Sequence, residues 1–248
     1  MEYALLAIWC FAVALAGGLV GLVLGNIRLP AVLLLSTSPG AGTGANIGIS
    51  AVAAATASIA HIRAGRVNWR LFRWMAPPSI LGALGGGYVS GVLPGDLLLF
   101  VIAAVLLYSG IELLRKPEAK PRPHGGDRLD IPAAVLTGLV IGVLGGVVGL
   151  ILGSLRMPAL VRIVGEVPAR AVGTNVTIGF LVGVAGVIGH LPSEPPDWDV
   201  LAVGAAASIP GALLGSRLTG RLSDRALLQA VGYILLVAAA AMVADALT

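Results

Sequence analysis

Apolar runs of about 20 residues, the length that spans a bilayer as a helix, follow one another along the whole chain. They lie at 4–24, 43–61, 71–90, 97–114, 132–152, 171–190, 200–219 and 226–246. Only 11% of the residues are charged, against about 25% in a soluble domain. The 35 glycines suit the close approach of membrane helices. The reading is an all-α polytopic membrane protein. The first run lacks a basic leader, since Glu2 is its only charge, and reads as a retained helix rather than a signal peptide. The single cysteine, Cys10, leaves no internal disulfide and no cysteine metal cluster. The net charge of +4 reports topology rather than nucleic-acid binding, because cytoplasmic loops collect Lys and Arg.

The chain repeats itself. Residues 17–31 over 145–159 give ten identities in fifteen positions, ending in "GNIRLPA" and "GSLRMPA". After a one-residue length change Asn46 pairs with Asn175, His61 with His190, Trp69 with Trp198, and Gly82 with Gly211. The halves are 1–114 and 132–248, and 115–131 is a Pro-rich, charged linker. Loop charges set their relative orientation. "HIRAGRVNWRLFR" carries four arginines, whereas its counterpart "HLPSEPPDWD" carries only acids; the next pair of loops reverses the bias. Equivalent loops of opposite bias imply that equivalent helices cross in opposite directions, so the halves read as inverted repeats. Inversion needs an odd number of crossings per half. A first segment that breaks and re-enters, followed by three transmembrane helices, supplies it. The linker is then cytoplasmic, both termini lie outside, and the chain sits in the plasma (inner) membrane.

At each break stands an arginine. Gly25, Pro30, Gly153 and Pro158 are read as the helix-breaking residues, since Gly permits close approach and Pro removes a donor. Irregular backbone at membrane depth is tolerated where it is buried in protein or lines a cavity, and paired breaks build the midplane sites of transporters. Arg28 and Arg156 present planar forks that match carboxylate, phosphate or sulfonate oxygens, and would form one anion site on the pseudo-twofold axis, with Asn26 and Ser154 facing it. Snorkelling or capping of broken-helix carbonyls is the other reading. Asn46 and Asn175, with Thr43 and Thr174, fall near the starts of the following helices, as helix caps or as anion donors. His61 and His190 sit at equivalent helix ends, where a proton relay competes with a structural hydrogen bond. Trp69 and Trp198 read as interfacial, and Tyr88 as packing. The acidic residues lie in termini, loops or segment ends, with Glu112 nearest the membrane interior. No P-loop, hydrolytic triad or metal-ligand spacing occurs, which points to no cofactor, no metal and no enzyme.

With "GAGTGAN" and "RAVGTN", "GRVNWR" and "PPDWDV", and "PPSILGALGG" and "SIPGALLG", these elements resemble the sulfite exporter TauE/SafE family over nearly the whole chain. Consecutive glycines typical of that family are replaced here by Asn26-Ile27-Arg28 and Ser154-Leu155-Arg156. The resemblance implies a secondary transporter, an exporter of a small sulfur-containing anion such as sulfite or a sulfonate. Its partners are that anion and the lipid bilayer, with a homo-oligomer left open. An anion-selective channel or a carboxylate transporter with the same arginines is the alternative.

Overall fold

The computed structural model of the chain describes residues 1–88, 95–115, 130–148, 151–191 and 195–246. Most of the linker, 116–129, therefore lies outside the described residues, as do the side chains of Tyr88 and His190. The described chain is helical throughout: α1 (Glu2–Val20), α2 (Gly25–Leu33), α3 (Pro39–Arg63), α4 (Trp69–Tyr88), α5 (Gly95–Arg115), α6 (Ile131–Val148), α7 (Gly153–Pro158), α8 (Pro168–His190), α9 (Trp198–Thr219) and α10 (Asp224–Ala246). A π-helical turn, Ala159–Val164, continues α7. Among the described residues, α1, Gly40–Arg63, Pro168–Gly189, α9 and Asp224–Ala241 are long and apolar enough to cross a membrane.

The break in the first segment comes earlier than the glycine and proline of "GNIRLP". Gly21 ends α1 at φ 71°, in the left-handed region that glycine enters without strain. The Leu22 N–H then returns to the Gly17 carbonyl at 3.0 Å. Gly25 and Gly153 are instead the first residues of the short helices α2 and α7. Pro30 lies inside α2, where its missing N–H removes one bond from a helix that continues. Pro158 is the last residue of α7 and leads into the π turn. Here the one-residue length change finds its place. Pro30 and Pro39 are nine positions apart, their counterparts Pro158 and Pro168 ten, and π bonding, i to i+5, takes up one residue more per turn than α.

Packing runs between the halves. α1 lies along α9, where a Cβ at Gly18 would come within 3.1 Å of the Ser216 nitrogen and one at Gly211 within 3.1 Å of the Leu15 nitrogen. α4 lies along α6 in the equivalent way, with a Cβ at Gly82 falling 2.5 Å from the Leu139 carbonyl oxygen and 2.9 Å from the Val143 nitrogen. α3 and α8 pack antiparallel, Gly183 on Ala51 and Gly186 on Ile47. α5 and α10 meet through Gly110 and Gly232.

The loops sort onto two faces. On one, the Asn68 N–H donates to Thr174 Oγ1 at 2.9 Å, Asn68 Nδ2 donates to Glu166, and Arg66 Nη1 donates to the Ser216 carbonyl at 3.0 Å. Arg162 reaches Glu112 at the end of α5 at 3.7 Å. This face gathers the α3–α4, π–α8 and α9–α10 turns and their arginines. On the other, the Thr37 N–H donates to Asp197 Oδ2 at 3.2 Å, and the Asp197 N–H to the Ala41 carbonyl at 3.1 Å. Leu6 at the start of α1 shares a buried cluster with Val32 near the end of α2 and Val200 at the start of α9. The chain thus enters from the Asp197 side and α2 turns back towards it.

Candidate functional site

The short helices carry the arginines into the interior, and α3 and α8 receive them. Arg28 is 2% exposed. Its Nε donates to Asn46 Oδ1 at 3.0 Å and its Nη2 to the Asn46 carbonyl at 3.0 Å and to Ser50 Oγ. Asn46 Nδ2 in turn donates to the Gly25 carbonyl at 3.0 Å. Gly25 opens α2, so one side chain ties the start of the short helix to α3 and orients the guanidinium together.

The second half repeats the device with fewer bonds to its arginine. Arg156, 1% exposed, donates through Nη1 to Asn175 Oδ1 at 3.2 Å. Asn175 Nδ2 bridges the Gly21 and Gly153 carbonyls at 2.6 and 2.8 Å, joining the two breaks. Arg156 Nε is buried with no hydrogen-bond partner among the described residues. Where Ser50 supports Arg28, the repeat places Gly179.

Asn46 and Asn175 are each the eighth residue of their helix, two turns in, and are not caps. Ser38 caps α3, its Oγ accepting from the Ala41 N–H at 3.1 Å. Thr174 accepts from Asn68, and Thr43 is half-buried on α3. Asn26 turns to α10, donating to the Ala238 carbonyl at 3.4 Å, while Ser154 is buried. Nor do the arginines converge on one axial site. With Gly173 beside His61 and Gly186 beside Ile47, the antiparallel register sets the two asparagine anchors ~20 Å apart along the α3–α8 pair. The structure holds two sockets.

A small cavity opens against the first socket, lined by Arg28 and Ser50, by 22–24, by Gly17 and Gly18 of α1, and by Ala53, Ala54 and Ala57 of α3. Among the described residues the ion pairs are Arg162–Glu112 and Arg170–Glu166. Both join groups near the arginine-rich face, and neither neutralises Arg28 or Arg156. The residues that sequence reading missed are Ser50, Asn68, Glu166 and Thr219. Ser50 stands one turn beyond Asn46 on the same helical face, a spacing that could have found it.

The sequence profile of the family Sulfite exporter TauE/SafE matches residues 6–242. A protein described as the probable membrane transporter YunE of Bacillus subtilis (strain 168) is 25% identical over 88% of this chain and 87% of its own length. A probable membrane transporter of Xylella fastidiosa (strain Temecula1) is 27% identical over 91% of each. No solved structure gives a significant match.

Proposed function

The chain belongs to the sulfite exporter TauE/SafE family of membrane transporters, and from that premise we propose that it exports a small sulfur-containing anion, sulfite or a sulfonate, by alternating access. One observation carries the reading: Arg28 is buried at the wall of a cavity, with no carboxylate paired to it among the described residues. A buried charge without a counter-charge is expensive, and a guanidinium whose fork is already oriented awaits a planar or tetrahedral oxyanion. Arg156, with a bare Nε, would offer the same chemistry deeper towards the arginine-rich face. An outward-positive membrane potential favours anion exit by about 2.3 kcal/mol per charge per 100 mV.

Selective stabilisation tests this. The purified protein should melt at a higher temperature with sulfite, sulfate, thiosulfate or sulfoacetate than with taurine, a sulfonate whose ammonium group leaves it no net charge, because a ligand of the native state stabilises by mass action. If none of the anions moves the melting temperature, the anion reading falls. Simple carboxylates, run alongside, report whether sulfur is required.

The antiparallel α3–α8 pair and the shared seating of Gly82 and Gly211 support reading 1–114 and 132–248 as inverted repeats. By the bias of basic loops, the face of Arg66, Arg162 and Arg221 is cytoplasmic and both termini lie outside the plasma membrane. A reporter fused after Thr248 should report the outside; a cytoplasmic signal overturns this topology.

A further inference from the structure

We propose that His61 takes up a proton together with the anion, so that transport is proton-coupled. The inference rests on the anion reading above.

The His61 ring is fully buried near the end of α3, one helical turn beyond Ala57, a residue that lines the cavity. Ser50 and Ala57 mark out ~10 Å of α3, with Arg28 at one end of the cavity and His61 past the other. His61 Nε2 lies 3.4 Å from the carbonyl oxygen of Gly18, a second lining residue. A carbonyl only accepts, so Nε2 carries the hydrogen and Nδ1 is the bare nitrogen. Nδ1 is buried and has no partner among the described residues. It is a basic lone pair held one helical turn beyond the cavity lining.

The charged groups around it are arginines and one buried carboxylate, Glu166, which pairs with Arg170 at 3.6 Å. Arg63 follows on α3 and Arg66 stands in the next turn, its N–H on the His61 carbonyl at 2.9 Å. Arg170 opens α8, whose Gly173 abuts the His61 Cβ, and Arg217 lies near the end of α9. α1 brings the Gly18 carbonyl, and α9 the Thr219 hydroxyl, which donates to Gly18 and Leu19. An anion in the cavity reverses the local field, and the proton and the anion then favour each other's binding by the same factor. The step is a simple protonation. A proton from the arginine-rich side adds to the Nδ1 lone pair and leaves when the anion departs.

The chain has three histidines, His61, His124 and His190, so nitrogen NMR of histidine-labelled protein in bilayers can follow each. The His61 signal is the one lost in His61→Gln, or the one remaining after His124→Gln and His190→Gln if the first variant is unstable. At neutral pH without ligand, Nδ1 should resonate as an unprotonated ring nitrogen. Saturating sulfite should convert it to the protonated form, and His61→Gln should still bind sulfite but carry it without response to a proton gradient. If sulfite raises the melting temperature while His61 stays unprotonated, proton coupling at this residue is overturned and the anion reading stands. If none of the anions tested above stabilises the protein or moves the signal, both fall.

Discussion

Arg28→Ala is expected to reduce anion flux into proteoliposomes by about 100-fold or more at fixed concentration. Truncating one member of a buried, hydrogen-bonded charge pair costs about 2–5 kcal/mol, which corresponds to roughly 30- to 3,000-fold in affinity. Here the loss is compound. The cavity loses its positive charge, and Asn46 Oδ1, the Asn46 carbonyl and Ser50 Oγ lose their shared donor. Arg28→Lys separates the two effects, because an ammonium keeps the charge but cannot span Asn46 and Ser50 as a fork. It should retain a fraction of the flux with weakened selectivity among oxyanions. Ser50→Ala leaves the charge and two of the three bonds, and should be milder than either. Full flux in Arg28→Ala, measured on protein that elutes and melts like the parent, would show that the anion goes elsewhere.

A large structural effect should come from two glycines far from that socket. A Cβ at Gly82 lies 2.5 Å from the Leu139 carbonyl oxygen, and one at Gly211 meets the backbone of Phe11 and Leu15. Both contacts are with backbone, so no rotamer change relieves them and the helices must separate. Overpacking costs about 1–3 kcal/mol, and we expect the upper end, about 3 kcal/mol, for Gly82→Val and for Gly211→Val alike. The melting temperature in detergent is the readout. Gly85→Ala and Gly189→Ala are the controls, since a Cβ at either has nothing within 4 Å. If Gly82→Val melts with the controls, α4 and α6 do not pack as described.

Much of this fold is legible in the sequence because bilayer length and apolar run length are one constraint. The long helices of the described chain begin and end within a few residues of the apolar runs; α5, for instance, starts at Gly95, two positions before the run that opens at Leu97. The position of the break is not legible. The segment offers Gly17, Gly18, Gly21 and Gly25 in succession, and which one turns left-handed is decided by tertiary neighbours such as Val172, against which Gly21 is pressed. Asn46 reads as a helix start because the apolar run begins later than the helix, which Ser38 and Pro39 start. Ser50 stays hidden because its counterpart is Gly179, and a repeat advertises only what its halves share. The two sockets read as one because a repeat gives equivalence but no distance. Only the antiparallel register of α3 and α8 sets that separation.

The pairing of α1 with α9 and of α4 with α6 has a consequence for biosynthesis. The first helix to leave the ribosome packs against the ninth, and at about 5–20 residues per second it waits on the order of ten seconds or more for that partner to be made. During that interval its Gly17-Gly18 surface faces lipid, another nascent helix or an insertion factor. Neither half can complete its packing alone, since α1 and α4 find their seats only in helices encoded after the linker. A chain that stops within α9 should therefore fail as a whole, however much of it has already been inserted.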